Sequence, residues 1–338
     1  MKVPLILVIF LIPLVYGNVV HKKSFTNWEK IIEEVNSAQS TWKARRNFSP
    51  QISEEAIQKL LGATLDDFSN APFKKFETKA NIPKSFDARK VWKSCRSIGH
   101  IRDQGYCGSC WAVAAAEAVT DRYCIASGGK FKQHLSMEDL LSCCMECGKG
   151  CDGGSPLYAW YHIWRHGITS GGDYDSNDGC KPYSFAPCEH HMEGSRPQCD
   201  SFGDLPTPGC SFKCHNPSYA RGYWSDHHRV TDFYVLNSTE KIQQEIMEHG
   251  PVEASFVVYE DFLAYKSGVY QHLIGEKKGG HAVKIIGWGE EGGTPYWLVV
   301  NSWNSDWGEK GTFRILRGRN ECNIESFIVA GTPDISYL

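Results

Sequence analysis

Residues 104–118 read QGYCGSCWAVAAAEA and set Cys107 and Cys110 two residues apart at the head of an alanine-rich run. That spacing suits three chemistries. A C-x-x-C pair at a helix N-terminus can act as a redox dithiol. Such a pair can also be half of a zinc site. In the third case one thiol is a nucleophile and its neighbour is tied into a structural bridge.

The redox chemistry calls for a βαβ surround. The apolar run that could supply its strand, VPLILVIFLIPLVYG at residues 3–17, belongs instead to a removable N-terminal segment. A zinc site could draw on Cys144 and Cys147, again C-x-x-C, on Cys151, and on His190, His191, His227 and His228. Yet the chain holds 14 cysteines, and setting two aside leaves an even number that disulfides account for better. A thiol nucleophile needs a lowered pKa, a histidine, a group orienting that histidine, and donors for an oxyanion. Cys110 opens the alanine-rich helix, whose dipole favours thiolate. His281 lies in GGHAV at a strand start, and Asn301 lies in VVNSWNSDWG near a strand end. The Asn301 amide can orient an imidazole without taking its proton. Gln104, six residues before Cys110, can offer a side-chain N–H beside the backbone N–H of Cys110. A lone His or Asn is most often structural, but four such residues in these settings point to a cysteine nucleophile.

The elements that must position them come next. The chain has 338 residues, enough for one large or two modest domains. Its net charge of −3, with both signs mixed, argues against a nucleic-acid footprint or a polybasic membrane patch. Residues 1–17 combine a basic start with an apolar run broken by Pro4 and Pro13. The run is shorter than the ~20 residues that span a bilayer, and Val15 and Gly17 fit a signal-peptidase site. We read these residues as a signal peptide, and no later run is long enough for a membrane span. The cysteine count agrees with an oxidising, secretory route. Sequons at Asn47 and Asn237 permit N-glycosylation, the first weakened by Pro50.

Every cysteine lies at Cys95 or beyond, so a cysteine-free leader, residues 18–81, precedes a disulfide-bonded body, residues 82–338. In the leader, Thr26 and Glu29 read as a capping box. Trp28, Ile31, Ile32, Val35, Ala38 and Trp42 read as one apolar helix face. Ser53 starts a second short helix, with Glu54 and Glu55 in its first turn. Helices this small should pack on the body. In the body, residues 110–123 read as a buried helix, and Ser136 with Asp139 caps another. Residues 150–228 show no periodicity. PVEASFVVY, HAVKIIGW, PYWLVVNSW, TFRILRG and SFIVAG read as strands. A helical first half and a strand-rich second half predict an α+β protein with two lobes.

Cys107-Gly108-Ser109-Cys110-Trp111 fits C-G-[SA]-C-[WY], and the chain here resembles the papain-like cysteine peptidases. IPKSFDARK, CDGG, GGHAV, TPYWLVVNSWNSDWG and ILRGRNECNIES extend the likeness over about residues 82–331. His281 and Asn301 follow Cys110 by 171 and 191 residues, more than the usual ~130–150. The resemblance places the insertion at about residues 180–214, where PCEHHMEGSRPQC resembles the occluding loop of the cathepsin B branch. It implies a papain-like two-lobe fold, with a helical left lobe carrying the nucleophile helix and a β-barrel-like right lobe. A small helical, inhibitory propeptide precedes it, lying in the cleft against the substrate direction. The implied activity is that of an endopeptidase and peptidyl-dipeptidase acting through a Cys110–His281 thiolate–imidazolium pair.

The same resemblance implies the remaining sites. Gly153, Gly154 and Trp303 would bind substrate. Pro156, Ser255 and Ala282 would wall the S2 pocket, with Phe327 at its end, where the branch commonly has glutamate. Glu325 would lie two residues earlier on the same strand face, so Phe, Leu or Val is expected over Arg at P2. His190 and His191 would accept a substrate's C-terminal carboxylate, the loop being latched by His190–Asp103 and Arg196–Asp306. The implied bridges are Cys95–Cys124, Cys107–Cys151, Cys143–Cys210, Cys144–Cys147, Cys180–Cys214 and Cys188–Cys199, with Cys110 and an inert Cys322 left free. The Cys144–Cys147 loop is one residue shorter than is usual in the branch. Glu29, Glu33, Glu34, Glu54 and Glu55 would lose charge in acid and loosen leader from body. Implied partners are protein and peptide substrates, the chain's own propeptide and cystatin-type inhibitors, with no cofactor and no metal. A monomer in the lysosome or outside the cell, including a digestive lumen, is expected. A catalytically inactive binding protein on this fold would lack one of Cys110, His281, Asn301 and Gln104, and all four are present. An endopeptidase with an open loop differs only in the loop contacts.

Overall fold

The computed structural model describes residues 27–38, 40–49, 52–65, 71–74, 81–190, 194–203 and 205–336. The expected signal peptide, Thr26 and His191 lie outside these. The leader begins with α1 (Trp28–Ser37), capped by Asn27, whose side chain accepts from the Lys30 N–H at 3.1 Å. Trp28, Ile31 and Val35 are buried, as their 3.6-residue spacing predicts. The helix ends at Ser37, however, and Trp42 lies in β1 (Trp42–Ala44). The reason is tertiary: β1 pairs antiparallel with β5 (Tyr265–Tyr270) of the body. The Trp42 ring packs on Tyr265 and Tyr270, and its Nε1–H donates to the Gln271 carbonyl at 2.9 Å. Gly268 allows the approach. At its φ of +97°, a Cβ would meet the Thr41 carbonyl oxygen at 2.5 Å. Ser53 caps α2 (Glu54–Leu60) by accepting from the Ala56 N–H.

The body opens with β2 (Phe86–Asp87) and the single turn α3 (Ala88–Val91). In α4 (Cys110–Ala126) every residue from Cys110 to Cys124 is buried. That is why its sequence is rich in alanine and has no polar face: neighbours approach it from all sides. These include α5 (Met137–Cys143) and α6 (Pro156–Arg165). Ser136 caps α5 through the Asp139 N–H at 2.9 Å. α6 lies in the stretch read as irregular; Ser155 as its cap and Pro156 in its first turn were the available signals.

The second half supplies β3 (Val230–Leu236), α7 (Thr239–His249), β4 (Val252–Tyr259), α8 (Glu260–Leu263), β5, β6 (Lys277–Glu291), β7 (Thr294–Val300), β8 (Thr312–Leu316) and β9 (Phe327–Pro333). The five strands expected from sequence correspond to β4, β6, β7, β8 and β9. The sheet order is β1-β5-β8-β7-β6-β4-β9-β3, with β2 on β6, and β5–β8 is its parallel pair. One core lies among α4, α5 and α6, and a second lies inside the strand lobe. Trp28, Ile31, Val35 and Trp42 of the leader belong to the second core, so the leader is built into the fold.

Six disulfides join Cys95 to Cys124, Cys107 to Cys151, Cys143 to Cys210, Cys144 to Cys147, Cys180 to Cys214 and Cys188 to Cys199. Cys110 and Cys322 are free. Burial and the Glu321 carboxylate push the Cys322 thiol far up, so it stays protonated. Among the described residues no helix is long and apolar enough to cross a membrane. Asn47 is buried, and its Nδ2 donates to the Leu263 and Tyr265 carbonyls at 2.7 and 2.9 Å. The folded chain therefore offers a glycan only the exposed Asn237 sequon.

Candidate active site

Cys110 is the first residue of α4, where the helical lobe meets β6. The Ala282 N–H of β6 donates to its sulfur at 3.5 Å. The residue before Ala282 is His281. Strands β6 and β7 pair with Lys284 opposite Val300, which carries His281 to Asn301. His281 Nε2 lies 2.7 Å from Asn301 Oδ1, which also accepts the Ser302 N–H at 2.8 Å. Asn301 therefore faces His281 with an acceptor, Nε2 holds the proton, and Nδ1 keeps the lone pair. The Trp303 ring lies 4.7 Å from the imidazole and covers it.

Gln104 is fixed by its Oε1, which accepts from the Ser302 hydroxyl at 2.8 Å. Its Nε2 donates to three carbonyls, those of Cys107 at 2.9 Å, Lys59 at 3.1 Å and Leu60 at 3.3 Å. Trp303 Nε1 donates to the same Leu60 carbonyl at 3.2 Å. Two of these acceptors, Lys59 and Leu60, belong to the leader. Its next residues continue across the cleft. The N–H groups of Gly62 and Ala63 donate to the Gly280 carbonyl, Gly154 N–H donates to the Gly62 carbonyl at 2.8 Å, and Thr64 N–H to the Gly154 carbonyl at 2.9 Å. The Ala63–Gly154 bridge is parallel. Gly62 is required there, because a Cβ would sit 2.0 Å from the Gly108 carbonyl oxygen.

The leader keeps the site dry. Cys110 and His281 are both fully buried. Burial pushes the Cys110 thiol up to about 12, against smaller opposing effects of the Ala282, Trp111 and Ala63 backbone N–H groups. Burial also pulls His281 down to about 4, against the Asn301 hydrogen bond. Both shifts favour the uncharged thiol and imidazole while the leader is in place, since two desolvated charges cost more than their attraction returns.

Ser255 stands opposite Ala282 of β6 on one side and Phe327 of β9 on the other. Directly opposed residues share a face, so these three form one row that starts beside Cys110. Pro156 opens α6 above it, and half-buried Phe327 packs against the helical-lobe core. Glu325 is not on that face. It precedes β9 and closes a turn, accepting from Trp297 Nε1 at 2.9 Å, Gly318 N–H at 2.6 Å and Asn320 N–H at 2.9 Å. The carboxyl that does lie behind the row is Glu253, which sequence reasoning missed. It sits two residues before Ser255 on the same face, and Trp160 Nε1 donates to it at 2.7 Å. Burial raises its pKa well above the ordinary value and outweighs the Trp160 bond. The alternation of PVEASF held the signal, in a polar residue at a core position.

His190 Nε2 lies 3.1 Å from Asp103 Oδ1, and Arg196 donates to Asp306 Oδ2 at 2.6 Å. Arg196 also reaches Glu189 at 2.8 Å, a partner not anticipated. Asp103 Oδ2 accepts the Cys188 N–H at 3.2 Å, and Asn304 Nδ2 donates to the Cys188 carbonyl at 3.0 Å. Both loop pairs thus exist with the leader in place. Of the five leader glutamates singled out above, Glu54 reaches the body, at Lys278. Glu29 pairs with Arg46 and Glu34 with Lys30, both within the leader. Two further leader-to-body ion pairs use leader lysines, Lys59 with Asp152 and Lys74 with Glu245.

A cysteine opening a buried helix, an imidazole held by an amide, and an interlobe cleft filled by the leader define the zymogen of a cysteine peptidase. Residues 82–332 match the papain family cysteine protease model, and residues 29–67 match the propeptide model of the same peptidase family. The chain belongs to the papain family of cysteine proteases. It is 49% identical over 313 residues to cathepsin B-like cysteine proteinase 4 of Caenorhabditis elegans, covering 91% of this chain and 92% of that one. It is 54% identical over 251 residues to a cathepsin B-like cysteine proteinase of Schistosoma japonicum, covering 74% and 73%. Its fold is similar to that of procathepsin B S9 from Trypanosoma congolense, with a TM-score of 0.77 and 37% identity, covering 90% and 98%.

The dry site gives a direct expectation. Iodoacetamide should leave Cys110 unmodified in the intact zymogen between pH 5 and 9, because burial closes off the sulfur and pushes its thiol up to about 12. After the leader is removed, alkylation should become fast at acidic pH. Peptide mapping of the alkylated cysteine checks this.

Proposed function

We propose that release of residues 18–81 yields a cathepsin B-like endopeptidase and peptidyl-dipeptidase in which Cys110 is the nucleophile. When the leader leaves, water returns to Cys110 and His281, the desolvation cost falls, and a proton moves from the thiol to His281 Nδ1. The thiolate attacks the scissile carbonyl carbon. The resulting oxyanion lies between Gln104 Nε2 and the Cys110 N–H. His281 gives its Nδ1 proton to the leaving amine, and the carbonyl re-forms as a thioester. Water then attacks the thioester with His281 as base, which restores the thiol. Asn301 keeps the Nε2 proton in place throughout, so the Nδ1 side does the transfer. The observation that carries this reading is the Leu60 carbonyl, held by the donor assigned to the oxyanion. In this reading the leader takes the place of a substrate, with its chain parallel to Gly154 and opposite to the direction proposed for a substrate.

The loop supports the dipeptidase half. With His190 bound to Asp103 and Arg196 to Asp306, the loop would wall off one end of the cleft, where a substrate's terminal carboxylate would meet His190 and His191. The route through the secretory pathway to a lysosome or to the outside, action on proteins and peptides, inhibition by cystatin-type proteins and a monomeric state belong to the same reading. His190→Ala with His191→Ala should cut release of C-terminal dipeptides at least tenfold and leave internal cleavage of a blocked peptide within about twofold. Cys110→Ala is the zero control in both assays. Equal losses would contradict the wall.

The pocket row supports an apolar P2. A guanidinium entering beside Phe327 loses hydration, and burial behind the row disfavours the charged form of Glu253, so little compensates that loss. A net loss of about 1.4 kcal/mol is tenfold in kcat/KM. A Phe-Arg reporter should therefore be cleaved at least about tenfold better than Arg-Arg, and Phe327→Glu should narrow the gap.

A further inference from the structure

Residues 144–147 read CMEC, and His162 and His166 lie one turn apart at the end of α6. Fourteen residues separate Cys147 from His162, so the chain contains C-x2-C-x14-H-x3-H. That is the ligand spacing of a two-cysteine, two-histidine zinc site. The fold brings its halves together. The Cys144 sulfur, a Glu146 carboxylate oxygen and a His162 ring nitrogen all lie within 4.8 Å of one another. The His162 and His166 rings are 4.9 Å apart. His162 Nδ1 is 2.9 Å from Glu146 Oε1, which leaves Nε2 with its lone pair. A carboxylate on one ring nitrogen is the arrangement that orients a zinc-bound histidine.

In this structure Cys144 and Cys147 are joined to each other, and charge decides which redox state takes metal. Arg165 adjoins His166, and Arg229 donates to the His166 carbonyl at 3.2 Å. A dication held by two neutral imidazoles would be repelled there, whereas two thiolates cancel its charge.

We propose that reduction of the Cys144–Cys147 disulfide opens a zinc site formed by Cys144, Cys147, His162 and His166, with Glu146 orienting His162. Two small-molecule thiols supply two electrons and two protons and end as a disulfide. The S–S bond of the protein becomes two thiols, and zinc binding releases their two protons. The metal then takes over the cross-link. Its place is beside the substrate-binding glycines, since Gly148 bridges Gly154 and the Ser155 N–H donates to the Cys147 carbonyl at 2.7 Å.

The test uses full-length zymogen carrying Cys110→Ser and Cys322→Ser, so that every thiol comes from an opened bridge. The protein is treated with limiting glutathione, desalted, mapped by alkylation and titrated with Co²⁺. The expected result is thiols at Cys144 and Cys147 and one equivalent of Co²⁺ with thiolate-to-metal charge-transfer and tetrahedral d–d bands, displaced by Zn²⁺. The oxidised protein should show none of these bands. His162→Gln and His166→Gln should each weaken binding more than about tenfold, and Glu146→Gln by about tenfold. A different bridge opening first, absence of the bands once Cys144 and Cys147 are free, or bands unchanged by both histidine substitutions would overturn the proposal.

Discussion

Between Leu60 and Thr64 the leader lies backbone against backbone on the body, with no side chain between them at Gly62. A groove that admits a chain so closely has to satisfy each polar group it buries. Gln104 and Trp303 hold the Leu60 carbonyl, Gly154 holds Gly62 and Thr64, and Gly280 holds Gly62 and Ala63. Each partner is a group that the proposed reaction uses or that adjoins one. The same contact that completes these hydrogen bonds excludes water from Cys110 and His281 and keeps both uncharged. In the proposed reading, the zymogen is silenced electrostatically as well as sterically.

Two anchors hold that contact in place. Upstream, β1 extends the body's sheet, and Trp28 and Trp42 complete the core of the strand lobe. Alongside, α2 packs Ala56 against Tyr106 and the Cys188–Cys199 bridge of the loop. The ion pairs matter less, because exposed pairs contribute about 0–1 kcal/mol each. One of them, Lys74–Glu245, is partly buried. Burial raises the Glu245 carboxyl, but Arg122, Lys74 and the Tyr234 hydroxyl outweigh it and hold it at about 2. A lowered carboxylate contributes stability above its unfolded value and loses it only as pH falls through the folded one. The Lys74–Glu245 tie therefore survives ordinary acidification.

Much of the site was legible because its chemistry is local in sequence. Cys110 opens a helix whose alanine content reports burial on all sides, Asn301 follows the apolar strand β7, and His281 heads the apolar run of β6, although that strand begins four residues earlier, at Lys277. The resemblance to a known family supplied the bridges and the loop pairs, which composition and spacing leave open. What sequence hid was tertiary. Trp42 continued a helical spacing but was drawn into a strand by β5. Strand β3 reads VTDFYVL, with Thr231 and Asp232 exposed, so its alternation is broken. Helix α6 was masked by the Gly-, Pro- and Cys-rich stretch around it. Glu325 was given a strand face by counting back from Phe327, but the chain turns there and uses its carboxylate to do so. Glu253 went unremarked within an apolar strand, because β4 is covered on both faces and buries it whichever way it points.

The account rests on the close approach at Gly62. The most direct measurement is the activity of uncleaved zymogen in which Gly62→Val adds a side chain against the Gly108 carbonyl oxygen, 2.0 Å from the new Cβ. Hydrolysis of an internally quenched peptide is followed while gel analysis shows the chain to be intact. The expected result is measurable turnover and labelling of Cys110 by an active-site probe in the variant, with neither in the parent zymogen. A folded Gly62→Val zymogen as silent as the parent would contradict the claim that this backbone contact holds the peptidase inactive.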